Sequence, residues 1–180
     1  MYIVVRRGAF TTLDEGGRLA GLAAVRAVQS FPIDPEWRAR PGKVVLRARS
    51  ASQWARVLEE PHAAASDGVV ALPPRRRSER GEALTRLQAM STALEPPGSD
   101  ASGLVYALNP ELSMSSGKTL AQIAHAAVMA AELGYDVGDA RVIVPERFDG
   151  PCIAEVRDAG LTEVPPGTIT VRVLVREREA

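Results

Sequence analysis

An α/β fold, built as two related α/β halves packed together, is predicted by three features of this 180-residue sequence. Short apolar runs rich in Val, Ile and Leu recur at 2–5, 43–49, 69–72, 104–108, 141–144 and 168–175. Longer Ala- and Leu-rich stretches of helical spacing stand between several of them, and such alternation is the pattern of helices packed on a sheet. The third feature is an internal echo. Leu19-Ala20-Gly21-Leu22-Ala23 lines up with Leu120-Ala121-Gln122-Ile123-Ala124, and Gly17-Arg18 precedes one as Gly117-Lys118 precedes the other. The N-terminal half would then be a degenerate copy in which Ala24 stands where His125 does.

The elements follow in order. Residues 2–6 read as a strand and 13–30 as a helix. A second strand over 43–49 leads to Ser50 and Ser52, which can cap a helix reaching residue 60. The run 69–72 is a short strand stopped by Pro73-Pro74. Leu84, Leu87 and Met90 give 79–92 a helical spacing. The stretch 91–103 is small, polar and broken by Pro and Gly; it sets the halves at 1–95 and 104–180, with 96–103 as linker. Beyond it, 104–108 is a strand, Asn109-Pro110 turns the chain, and Ser115 or Ser116 caps a helix running to about 133, where Gly134 stops it. Strands at 141–144, 153–156 and 168–175 follow, with Asp158-Ala159-Gly160 and Pro165-Pro166-Gly167 as turns.

Composition narrows the function classes. A hydrophobic content of 46% excludes a disordered chain. No apolar run approaches the ~20 residues of a membrane span. The first run is too short for a signal peptide, so the expected location is the cytoplasm. One cysteine, Cys152, excludes an internal disulfide and a Cys-based zinc site, and reads as packed rather than reactive. Two histidines far apart argue against a metal centre, and no cofactor is implied. The net charge is zero but unevenly spread: residues 1–95 carry 15 Lys+Arg against 10 Asp+Glu, and 96–180 carry 7 against 12. Either the basic half faces a nucleic acid, or the two halves attract each other.

The helix after Ser116 is the most informative segment. At 100° per residue, Lys118, Gln122 and His125 share a narrow stripe, while Leu120 and Ile123 lie on another face. Such a stripe is either a solvated face or a site. Gly117-Lys118-Thr119 is not a phosphate loop, because the position that needs the first glycine is Leu112. A helix N-terminus beside a lysine can still attract a phosphate. The second informative segment is 156–171. It reads as strand, turn and strand, or as an acidic group, Asp158, at the strand end where α/β folds place ligands.

Together these segments resemble the peptidyl-tRNA hydrolase family of the archaeal and eukaryotic type, the second such family. The first family signature is matched by Met114-Ser115-Ser116-Gly117-Lys118-Thr119-Leu120-Ala121-Gln122-Ile123-Ala124-His125-Ala126. The second is matched by Asp158-Ala159-Gly160-Leu161-Thr162-Glu163 followed by Pro165-Pro166-Gly167-Thr168-Ile169-Thr170. The resemblance covers about 104–175. It implies a mixed β-sheet flanked by helices, hydrolysis of the ester joining a peptide to tRNA, and tRNA as partner. Carried over by position, His125, Asp158 and Thr162 are the expected catalytic residues, with Lys118 and Gln122 binding substrate.

Two departures stand out. Glu163 replaces the family's Gln, and 135–156 lacks the helix that normally precedes the second signature; 43–60 contains such a strand and helix. The alternative is a non-catalytic RNA- or protein-binding module on the same fold. In the basic half, Arg75, Arg76 and Arg77 either bind the tRNA backbone or form a solvated run.

Overall fold

The computed structural model describes residues 1–160 and 163–177, without the side chain of Arg77. The N-terminal half forms β1 (Tyr2–Arg6), α1 (Leu13–Ser30), α2 (Pro35–Ala39), β2 (Val44–Ala48), α3 (Ala51–Leu58), β3 (Ala63–Ser66), β4 (Val69–Ala71), α4 (Glu82–Thr85) and β5 (Gln88–Ala89). The C-terminal half forms β6 (Gly103–Leu108), α5 (Ser116–Glu132), β7 (Arg141–Ile143), β8 (Ala154–Arg157) and β9 (Ile169–Arg176).

Both sheets are mixed, and they share a topology. The first has the order β3-β4-β1-β2-β5 and the second β7-β6-β9-β8. In each, the strand before the long helix pairs parallel with the strand after it: Val4 faces Leu46, and Tyr106 faces Val142. On its other side that strand pairs antiparallel with the fourth strand of its half, β4 or β9; the first sheet has β5 in addition, antiparallel to β2. The third strand, β3 or β8, is antiparallel to the fourth.

The long helices α1 and α5 lie between the two sheets and pack on each other. Helix α1 covers β1, β3 and β4 and reaches across to β7; α5 covers β6, β8 and β9 and reaches across to β2. This reciprocal exchange merges both halves into one apolar core. It also explains the small-residue content of the helices. A Cβ at Gly17 would lie 2.9 Å from Ile123 Cδ1, and one at Gly21 2.8 Å from Ala127 Cβ. The contacts advance in the same direction along both helices, so the helices run parallel. Their N-termini, and the carboxyl ends of β1, β2, β6 and β8, therefore meet on one edge of the molecule.

Several expectations change. The run 79–92 is not one helix but a 3-10 turn at Arg77–Glu79, the single turn of α4, and β5. Leu84 and Leu87 fill the outer core of the first sheet, whereas Met90 enters the central core. Helix α2 and strand β3 were not foreseen. The stretch read as a linker is a hydrogen-bonded strap. Glu95 donates to the Thr11 carbonyl and accepts from the Leu13 amide, both at 2.9 Å, and Val144 donates to Gly98 at 3.0 Å. Met90, just before the strap, meets α5: Gly117 N donates to Met90 O at 3.1 Å, and a Cβ on Gly117 would stand 2.4 Å from that oxygen. No helix among the described residues is long and apolar enough to cross a membrane.

Candidate active site

Two signatures far apart in sequence meet at the N-terminus of α5. Ser115 caps the helix, its Oγ accepting from the Lys118 amide at 3.3 Å. One turn apart on that helix, Lys118 and Gln122 point at the loop after β8, where Asp158 is held by its own backbone. The Asp158 amide donates to Thr168 O at 2.9 Å, and its carbonyl accepts from Gly167 at 2.8 Å. Gly160 completes the turn with φ +74°. A Cβ there would also lie 2.5 Å from Pro166 N, so the position needs glycine twice over.

The resulting network is dense. Asp158 Oδ2 is paired with Lys118 Nζ and accepts from Gln122 Nε2 at 2.7 Å, while Oδ1 accepts from the Gly160 amide at 2.8 Å. Behind Gln122 stands Thr170 on β9, fully buried, whose hydroxyl donates to Gln122 Oε1 at 2.8 Å and lies 3.3 Å from Val156 O. Asp158 keeps only 7% of its surface. Burial pushes its carboxyl up, but the hydrogen bonds from Lys118, Gly160 and Gln122 and the Lys118 charge outweigh that, and its pKa falls below the usual 3.8. The carboxylate is ionised at neutral pH and neutralised by the amine beside it.

Glu163, the departure from the family pattern, lies at the rim. Its two oxygens accept from Ser115, one from the amide and one from the hydroxyl, both at 2.7 Å. A negative charge at a helix N-terminus is favourable; a glutamine could accept only one of these bonds with its carbonyl.

The remaining predicted residues are not gathered there. His125 follows Lys118 by seven residues, roughly 10 Å along the helix. It lines a separate cavity of about 180 Å³ with Lys43, Trp37 and Glu132. Burial, then the Lys43 charge, lowers its pKa to about 4, so the imidazole is neutral. Arg75 is paired with Glu60 at 3.0 Å, and Arg76 with Glu36 at 3.1 Å. Both follow β4, beyond the point where Leu72 bonds Tyr2, and so lie at the edge opposite Lys118. Thr162 and the Arg77 side chain lie outside the described residues. Thr170 was missed as a member of the network, although it ends the second signature; a threonine among the apolar residues of a buried strand is its signal.

A buried carboxylate held between an amine and an amide, at the carboxyl edge of a mixed sheet, defines an α/β protein with a charge-balanced polar site. Comparison with known proteins gives the family. The chain is 37% identical over 90 residues to the peptidyl-tRNA hydrolase of Thermococcus sibiricus (strain DSM 12597 / MM 739), covering 37% of this chain and 76% of the relative. It is 36% identical over 90 residues to that of Thermococcus onnurineus (strain NA1), with the same coverage. For Staphylothermus marinus (strain ATCC 43588 / DSM 3639 / JCM 9404 / F1) the identity is 33% over 91 residues, covering 37% and 74%. This chain belongs to the peptidyl-tRNA hydrolase family. No family model and no solved structure matches it. The 90 aligned positions take up only 37% of 180 residues, so the relatives carry segments that this chain lacks, and most of this chain lies outside the match.

Proposed function

We propose that this chain hydrolyses the ester bond of peptidyl-tRNA, as an archaeal/eukaryotic-type member of its family. The observation that carries the reading is the joining of Lys118 and Gln122 from one signature to Asp158 from the other in one buried network. An ionised carboxylate has about four acceptor positions. Lys118, Gln122 and Gly160 take three, which leaves one to orient a water. That water attacks the ester carbonyl carbon. Its proton passes toward Asp158, and the carbonyl oxygen gains negative charge beside Lys118, whose ammonium has further donors. Collapse breaks the bond to the ribose oxygen, which takes up a proton and leaves as the free tRNA terminus. The lowered pKa makes Asp158 a weak base, so orienting the water is its larger contribution.

Two further parts complete the reading. The shared strand order and reciprocal helix packing support an origin of the halves by duplication. A tRNA substrate also fits a cytoplasmic location.

Turnover of purified peptidyl-tRNA tests the reading. Asp158→Asn is expected to cut the rate by ~10²–10⁴-fold while the protein stays folded. An unchanged rate would remove Asp158 from the chemistry. A wild type that binds tRNA without any turnover would make the chain a non-catalytic RNA-binding module.

A further inference from the structure

Nine of the arginines whose side chains are described answer to a carboxylate, among them Arg38 to Glu132, Arg75 to Glu60, Arg76 to Glu36, Arg86 to Glu82, Arg141 to Asp14 and Arg172 to Glu155. Arg18, Arg26 and Arg80 bond backbone carbonyls instead, and Arg40 and Arg56 have neither among the described residues. The carboxyl end of β1 and β2 is where arginines without a carboxylate partner come together. Arg6, Arg7 and Arg47 line a cavity of about 470 Å³ there, and none has a carboxylate within 4 Å among the described residues. Arg49, exposed just past the end of β2, adds a fourth cation. Glu95 is the one acidic residue in the lining.

The backbone fixes these side chains in place. Arg6 N donates to Gly68 O at 2.8 Å, Arg7 N donates to Ala48 O at 2.9 Å, and the Arg47 guanidinium bonds the Thr92 hydroxyl. Parallel pairing sets Arg47 beside Val5, which brings two sequence-distant basic groups to one rim. A concentration of unneutralised guanidinium groups is costly in self-repulsion and is relieved by an anion. Guanidinium is also the side chain best matched to phosphate oxygens.

The cavity's position gives the ligand. Thr92, Ala93 and Leu94 of the strap form one of its walls, and the same three residues wall a groove of about 270 Å³ lined by Ser115, Ser116 and Thr119. That groove opens at the N-terminus of α5, one turn from Lys118. Cavity, strap, groove and the Lys118–Asp158 pair thus follow one another along a single edge of the molecule. A polyanion whose end enters the Lys118 site passes the arginines next.

We propose that the Arg6–Arg7–Arg47 cavity is a phosphodiester-binding subsite for the tRNA, supplied by the N-terminal half. It rests on the hydrolase reading for the identity of the RNA. The N-terminal half then contributes affinity for the nucleic acid, and the C-terminal half the chemistry.

The test uses the full chain and measures binding of deacylated tRNA by anisotropy across a salt series, so it needs no turnover. Arg6→Ala/Arg7→Ala removes two exposed, unpaired side chains. It is expected to weaken tRNA binding ~10-fold or more at low salt and to lower the slope of log K against log salt by roughly one to two. Arg47→Lys keeps the charge but loses the fork and should weaken binding less. Arg75→Ala/Arg76→Ala, at the opposite edge, should bind as the wild type does. Hydrolysis of a small N-acyl aminoacyl ester should be the same in the Arg6/Arg7 variant as in the wild type. Unaltered tRNA affinity and salt slope in that variant would overturn the proposal, even if the enzyme is active. So would binding of inorganic phosphate at the cavity with no effect of the substitutions on tRNA. A wild type without turnover whose tRNA affinity still depends on Arg6 and Arg7 would sink the hydrolase reading and leave this subsite standing.

Discussion

The two halves have the same frame and opposite fillings. In the N-terminal half, α3 closes the outer face of the sheet. Trp54 and Val57 bury against Val4, Leu46, Val70 and Leu72. The C-terminal half has no such helix among the described residues: Val105, Ala107 and Ile143 are covered by the 144–153 segment through Phe148, on which Arg172 stacks at 5.1 Å. At the carboxyl edge the contrast reverses. The C-terminal half places Lys118, Gln122, Asp158 and Thr170 in one network, whereas the N-terminal half has the buried Gly17 and Gly21 on its helix, Val69 and Val70 on its fourth strand, and an exposed Asp67 after its third strand. One half has the better-sealed core and the other the polar site. The frame is set by apolar patterning that both halves share, and the site by four polar side chains that only one half has.

The largest expected effect separates the two acidic turns. Asp158→Asn should reduce peptidyl-tRNA turnover by ~10²–10⁴-fold, while Asp67→Asn, at the corresponding strand end, should leave it unchanged. Equal losses in both would mean that the site is not confined to the C-terminal half. The pH profile sharpens this point. Asp158 titrates below 3.8 and His125 at about 4, so neither gives kcat/KM an acid limb between pH 5 and 8.

Next in size is the seal on the outer faces. Trp54→Ala should cost about 3–5 kcal/mol of stability, as expected for truncating a large buried aromatic. Phe148→Ala, half-buried, should cost clearly less, and denaturant midpoints of the two variants measure the difference. A Phe148 penalty as large as that of Trp54 would show that the short segment seals its sheet as well as a helix does.

How much of this was legible in the sequence follows from what each signal depends on. Strands with strong Val and Ile runs, and both long helices, were readable because local pattern and final packing agree. Strand β3 was not, since Ala63-Ala64-Ala65-Ser66 has little intrinsic strand preference and pairs only because β4 lies beside it. Helix α2 announced itself through the Asp34 cap and Pro35, whose signal was overlooked. The spacing of Leu84, Leu87 and Met90 mimicked a helix because three unrelated packings happen to fall three residues apart. Lys118, Gln122 and Asp158 could be named from motifs. The separation of His125 from them was readable as well, since seven helical residues span roughly 10 Å; a shared stripe gives the angle around the axis and has to be read together with that rise. Arg6, Arg7 and Arg47 escaped notice because only strand pairing brings them together, while the conspicuous run at 75–77 drew attention to residues of which Arg75 and Arg76 are tied to carboxylates.

The neutral His125 makes a third, smaller difference between the halves, since Ala24 at the matching position cannot titrate. In the folded protein the imidazole stays unprotonated down to about pH 4, whereas in the unfolded chain it takes a proton near 6.5. The unfolded state therefore binds more protons in that window, and stability falls as the pH drops through it, by up to about 3 kcal/mol. His125→Gln should flatten the stability curve between pH 6.5 and 4. A slope that survives the substitution would assign it to other groups.

The smallest expected effect is also the most direct conversion of one half toward the other. Thr170→Val keeps the shape of a fully buried side chain and gives β9 the apolar character that Val70 has in β4. It removes the donor to Gln122 Oε1 and leaves that oxygen buried without a partner, at a cost of about 1–3 kcal/mol. Gln122 can relieve the cost only by turning its amide, which takes Nε2 away from Asp158. Stability and turnover should then move together: a small loss in melting temperature, and a roughly tenfold fall in kcat with KM nearly constant, because the group disturbed is the one that orients the water. Adding Gln122→Leu to Thr170→Val removes the stranded amide. The double variant should regain stability, as matched removal of both partners of a hydrogen bond does, and should not regain turnover. Recovery of turnover along with stability would mean that Gln122 and Thr170 only fill space, and that the polar contrast between the halves reduces to Lys118 and Asp158.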